Sequence, residues 1–196
     1  MFTGDVMMKK VSLIVPCYNE EEALPIFAAE LDKVVQGLES YEFEVLMVND
    51  GSSDGTLKVM KDVSSEYEYF KYISFSRNFG KESAMYAGFC NASGDYVAVM
   101  DADMQDPPSL LPEMLEILEQ GEYDSVATRR VTRKGEPKIR SWFARRFYKL
   151  INRISDADVV DGARDFRLMK SEMLYLVRNE PSFTKPVTNQ LFRSLL

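Results

Sequence analysis

The chain has 196 residues, of which 45% are hydrophobic and 28% charged, enough for one domain with a substantial core. It contains no histidine and only two cysteines, Cys17 and Cys90, in unrelated apolar stretches. This excludes Ser-His and Cys-His nucleophiles, an imidazole base and His-ligated zinc; any metal must be a hard, oxygen-bound cation. Both cysteines read as free thiols, in the role of small core residues.

The net charge of −7 conceals an asymmetry. Between Arg129 and Arg153 stand ten Lys and Arg against one acidic residue, Glu136, while the rest holds 14 basic and 30 acidic residues. An acidic body with one basic segment points to an anionic partner at one place on the surface. Neither a signal peptide nor an apolar run of about 20 residues is present, so a soluble or peripheral domain is expected.

In chain order, Val11 to Val15 predicts a strand closed by Pro16, and Glu21 to Gly37 a helix with Leu24, Phe27, Ala28, Leu31, Val34 and Val35 on one face. Phe43 to Val48 is nearly all apolar, as a strand buried on both faces should be. Gly51 to Gly55 is turn chemistry, with Ser53 or Asp54 able to cap a helix running through Tyr67. A strand over Lys71 to Phe75, a helix over Lys81 to Ala92 and a strand over Tyr96 to Met100 follow. Asp106 is expected to cap the next helix with Pro107 at its first position. Ser125 to Thr128 and Phe166 to Met169 read as further strands, and Ser171 as the start of a last helix. Strand–helix alternation of this kind predicts an α/β fold with a mostly parallel central sheet flanked by helices.

The chemistry-bearing residues fall just past the expected strand ends, where open α/β sheets bind ligands. Asp101-Ala102-Asp103 puts two carboxylates one residue apart at the end of a buried strand, a concentration of charge that a cation would compensate. Gln105 adds another oxygen, and Mg²⁺ or Mn²⁺ suits such ligands together with phosphate. An isolated D-x-D is more often a solvated turn; the neighbouring Gln105 and Asp106-Pro107-Pro108 argue otherwise here. Tyr18, Asn19 and Glu20 suit a nucleobase and ribose, as does Asp50, although turns with helix caps explain both segments equally well. Ser76 to Lys81 is a basic loop before a helix, suited through Arg77 and Lys81 to phosphate or ribose contact. The chain has neither a Walker loop nor G-x-G-x-x-G.

Val15 to Glu20, Asn49 to Thr56, Phe75 to Lys81, Met100 to Pro108 and Asp165 to Leu168 occur in that order. Together they closely resemble family 2 glycosyltransferases, specifically the polyprenyl-phosphate branch with dolichyl-phosphate mannose synthases and undecaprenyl-phosphate glucosyltransferases. The resemblance covers about residues 9 to 178. It implies a single GT-A (Rossmann-like) catalytic domain, a UDP- or GDP-sugar donor, a Mg²⁺ or Mn²⁺ cofactor and inversion at the anomeric carbon. By position it implies that Pro16, Tyr18, Glu20 and Asp50 hold the nucleoside, and that Asp101 stands near ribose and metal. Asp103 and Gln105 would hold the metal on the diphosphate, and Asp165 matches the acidic position proposed to assist the acceptor. A salt bridge to Arg164 or Arg167 is the plainer alternative for Asp165.

Residues 137 to 154 predict a basic amphipathic helix with Trp142, Phe143 and Phe147, suited to the cytoplasmic face of an anionic membrane or to packing on the core. Arg129, Arg130 and Arg133 fall where the family's acceptor loop is expected and, with Arg167, are assigned to the acceptor phosphate. No nucleic-acid partner is expected, and homo-oligomerisation is left open. The family pattern is lost from Glu180 onward and its C-terminal transmembrane helices are not among these residues, so an intact nucleotide site with weakened membrane attachment is expected. Two other readings stay open: a family 2 enzyme with a saccharide acceptor, and a nucleotide-binding protein without turnover.

Overall fold

The computed structural model describes residues 8–129 and 163–174. These residues form a six-stranded sheet in the order β3-β2-β1-β4-β6-β5. The strands are β1 (Lys9–Cys17), β2 (Tyr41–Asn49), β3 (Phe70–Ser74), β4 (Tyr96–Val99), β5 (Ser125–Arg129) and β6 (Ala163–Lys170). The helices are α1 (Ala23–Val35), α2 (Thr56–Glu66), α3 (Lys81–Asn91) and α4 (Leu111–Glu119). β1 pairs in parallel with both β2 and β4, and β2 with β3, whereas β6 runs antiparallel to β4 and β5. The α/β expectation is met: this is a mostly parallel sheet flanked by helices.

Side-chain alternation along β1 divides the core between the two faces. Val11, Leu13 and Val15 meet Leu24, Phe27 and Leu31 of α1, Met60 of α2 and Leu111 and Leu115 of α4. Ile14 points the other way, with Met85 and Phe89 of α3, Val97, Val99 and Met169. Helix α3 lies close to the sheet at Gly88, where an added Cβ would stand 2.3 Å from Ile14 Cγ2. No helix among the described residues is long and apolar enough to cross a membrane.

Several boundaries differ from those expected, each for a local reason. Pro16 does not close β1; it pairs with Val48 inside the strand. The β1–β4 pairing ends at Ile14 opposite Val99, so Pro16 lies beyond the reach of β4 and its missing N–H removes no bond to that neighbour. Helix α1 starts two residues late because the Glu21 carboxylate accepts the Gly55 N–H at 2.5 Å and its own N–H goes to Asp54. Asp54, not Ser53, serves the start of α2, accepting the Thr56 N–H at 3.0 Å.

The expected cap at Asp106 is not formed. Pro108 disfavours helical backbone at the residue before it, and Pro107 is extended (φ −72°, ψ 136°). The helix therefore opens with a 3₁₀ turn at Pro108–Leu110 and becomes α-helical at Leu111. β6 is twice the length expected, and helical backbone after Ser171 is described only for residues 172–174. Cys17 is buried as expected, but Cys90 is exposed on α3; both are free thiols. Residues 137–154, Arg130, Arg133 and the tail from Glu180 lie outside the described residues.

Candidate active site

The sheet's topology makes the crevice. β1 continues alongside β2 to Cys17 while β4 leaves it after Val99, and this is where the strand order turns from β2 on one side of β1 to β4 on the other. Ligands in open α/β sheets bind at such a switch point. A cleft of about 270 Å³ opens there, lined by Pro16, Tyr18, Glu20, Asp50, Lys81, Asp101 and Asp103 together with Cys17, Asn78 and Gly80.

Two loops form one wall. Asn19, with left-handed backbone (φ 56°), accepts the Ser53 N–H at 2.9 Å through its side-chain oxygen, and its own N–H donates to Ser52 Oγ at 3.0 Å. The Glu20 N–H donates to Thr56 Oγ1 at 2.8 Å. These bonds fix the Tyr18–Glu20 turn against the start of α2 and leave the Tyr18 ring half exposed at the cleft.

The opposite wall is built from Asp50. Its carboxylate is buried, at 3% exposure, yet both oxygens are engaged by backbone: Oδ1 accepts the Phe79 N–H at 2.7 Å and Oδ2 the Gly80 N–H at 2.9 Å. Gly51 permits this closeness, since its φ is +65° and an added Cβ would stand 2.2 Å from the Arg77 carbonyl carbon. Asp50 thus anchors the turn that launches α3, and the first residue of α3, Lys81, crosses to Asp101. Its Nζ lies 2.7 Å from Oδ1 and 2.8 Å from Oδ2.

Negative charge dominates the centre. The Glu20 carboxyl is raised above the usual carboxylate range, first by burial and then by Asp103, Asp101 and Asp54, with Lys81 opposing them. The Asp103 side chain is exposed and accepts the Gln105 N–H at 3.0 Å. Such crowding fits a hard divalent cation. Among the described residues, however, no group of three or more Asp, Glu or Cys is placed to hold an ion. Asp101 and Asp103 could supply only part of the coordination of a Mg²⁺- or Mn²⁺-type ion, which usually keeps several waters.

The remaining candidates lie elsewhere. Arg77 is not part of the cleft lining; it is exposed and its guanidinium sits 4.8 Å from the centre of the Phe79 ring. Gln105 is exposed and also outside the lining. Arg167 is buried on β6 opposite Val99 and Ala127, not displayed on the surface. Asp165 lies two residues before it on the same strand, in the direction of Asp101, and Arg129 ends β5. Asn78 and Gly80, which belong to the basic loop Ser76 to Lys81 but were not singled out within it, also line the cleft.

A mostly parallel sheet with paired carboxylates beside a cleft at its switch point has the architecture of an α/β ligand-binding domain. The glycosyl transferase family 2 model matches residues 12–177, and the chain belongs to that family. It is 43% identical over 162 residues to the CsbB protein of Bacillus subtilis (strain 168), covering 83% of this chain and 48% of that one. It is 38% identical to a bactoprenol glucosyl transferase of Shigella phage SfV, over 88% of this chain and 55% of that protein. The chain thus spans about half the length of these curated relatives. Among solved structures, mannosyltransferase PcManGT from Pyrobaculum calidifontis, in complex with GDP-Man and Mn²⁺, shares the fold with a TM-score of 0.59. That match has 20% identity and covers 90% of this chain and 49% of the other.

Proposed function

We propose that this chain is the donor-binding catalytic domain of an inverting enzyme that moves a hexose from a UDP- or GDP-sugar to a polyprenyl phosphate. The observation that carries the reading is the convergence of Tyr18, Glu20, Asp50, Lys81, Asp101 and Asp103 on one cleft, in a family 2 chain similar to a bactoprenol glucosyl transferase. Tyr18 and Glu20 receive the base and ribose, the Asp50-anchored turn forms the facing wall, and Asp101 and Asp103 hold Mg²⁺ or Mn²⁺ with the diphosphate. Gln105 completes the metal side through water or directly, and Arg77 meets phosphate from outside the cleft lining. When bound, the ion neutralises charge developing on the diphosphate leaving group.

The acceptor side needs little base. A lipid phosphate has a second pKa near ~6 and is mostly ionised at neutral pH. Its oxygen attacks the anomeric carbon as the bond to the nucleoside diphosphate breaks, so positioning carries most of the catalytic demand. Asp165 orients the acceptor, Arg129, Arg130 and Arg133 pair with its phosphate, and Arg167 braces the strand beneath. The basic segment 137–154 holds the domain peripherally on the cytoplasmic face of the membrane.

The test is transfer of label from UDP-glucose and GDP-mannose to undecaprenyl phosphate in vesicles with Mn²⁺. Label extractable with the lipid is the expected result. Transfer to a saccharide acceptor alone, or metal-dependent nucleotide binding with no transfer, overturns the proposal.

A further inference from the structure

Lys81 starts from a backbone position that disfavours a cation and carries its ammonium into the negative centre of the cleft. It is the first residue of α3, and a helix N-terminus carries partial positive charge. Its position is nevertheless fixed from below, because the buried Asp50 holds the N–H groups of the two preceding residues, Phe79 and Gly80. From there the ammonium reaches both oxygens of Asp101, at 2.7 and 2.8 Å. Asp101 is half of the Asp101/Asp103 pair that fits a divalent cation. An ammonium engaging both of its oxygens takes the electrostatic place that a metal ion would need.

We propose that Lys81 is a displaceable counter-cation that competes with the divalent metal for Asp101. This rests on the nucleotide-sugar reading of the cleft and extends it with an order of events. While Lys81 holds Asp101, free metal binds poorly. An incoming diphosphate offers the ammonium another anion and the metal additional oxygens, so that nucleotide and metal bind together. The anchored turn keeps the Lys81 backbone in place while only its flexible side chain moves, so the exchange demands no rearrangement of the sheet.

The experiment is a Mn²⁺ titration followed by electron paramagnetic resonance, on the full chain and on Lys81→Met, first without nucleotide and then with UDP or GDP. Without nucleotide, Lys81→Met is expected to bind Mn²⁺ tighter by roughly threefold or more, and Lys81→Arg to match the wild type. With nucleotide, Lys81→Met is expected to lose part of the enhancement seen in the wild type. Lys81→Gln serves if Lys81→Met does not fold, with the same expectation. A gain in metal affinity on losing a lysine is not an outcome of structural damage. Unchanged or weaker Mn²⁺ binding in the uncharged variants, with nucleotide enhancement intact in the wild type, overturns the role of Lys81 alone. No Mn²⁺ binding by the wild type in any arm overturns both this role and the metal–nucleotide reading beneath it.

Discussion

Glu44 gives the most quantitative prediction of the fold. It lies in β2 with 3% exposure, at the end of the sheet opposite the cleft. Burial opposes its ionisation, but Ser12 Oγ at 2.6 Å, the Ser93 N–H at 2.7 Å and Ser93 Oγ at 2.8 Å outweigh that cost. Lys10 at 3.1 Å and Lys71 at 3.4 Å add positive charge. The carboxyl is consequently held at about 2, against an ordinary value of 4.5. That difference corresponds to about 3 kcal/mol of folding stability at neutral pH. Because the folded-state value is the lower one, this stability is fully present above about pH 4.5 and is lost as pH falls towards about 2. Glu44→Gln should therefore be less stable than the wild type by about 3 kcal/mol at pH 7, on the order of 10 °C in Tm. The gap should fall to about half by pH 3. Urea unfolding of both proteins between pH 7 and pH 3 measures it. A gap that is absent at pH 7, or that does not narrow with acid, would refute the reasoning.

Other expectations concern the cleft and its walls. Gly51→Ala should cost at least about 2 kcal/mol, since it combines a left-handed backbone with a Cβ pressed onto the Arg77 backbone. It should also abolish nucleotide-induced stabilisation by displacing the turn before α3; wild-type melting with an intact nucleotide response would count against it. Native protein should show one fast thiol with a disulfide reagent, Cys90, while Cys17 reacts only on unfolding. Burial pushes the Cys17 thiol well above its usual range, with Glu20 and Asp101 adding to the effect. Two fast thiols would contradict the placement of Cys17 in the core.

Much of this architecture is legible in the residues because parallel strands covered on both faces must be short apolar runs. Val11 to Val15, Val45 to Val48 and Tyr96 to Val99 announce themselves, and so do the polar groups at their ends. What could not be read are contacts made between distant segments. Glu44 sits in a run that looks almost wholly apolar, and its partners Ser12, Ser93, Lys10 and Lys71 come from other elements. Asp50 looks like a ligand for a base or ribose, and nothing near it in the chain shows that its oxygens also accept from Phe79 and Gly80, some 30 positions on. Arg77 looks like a phosphate ligand, and its resting place over Phe79 could not be read. β6 was legible only over Phe166 to Met169 because Arg164, Asp165 and Arg167 mask its apolar signal. The two prolines after Asp106 promised a capped helix, but the second forbids helical backbone at the first.

The central claim is that Asp101 and Asp103 form a metal–diphosphate site, and one measurement tests it most directly. Thermal unfolding of the wild type and Asp103→Ala is followed with UDP, GDP and their sugars, each with and without Mn²⁺. At least one nucleotide should raise the wild-type Tm in a Mn²⁺-dependent manner, and Asp103→Ala should lose the metal-dependent part of that rise. Absence of any metal-dependent stabilisation in the wild type, or an unchanged metal response in Asp103→Ala, would contradict the account.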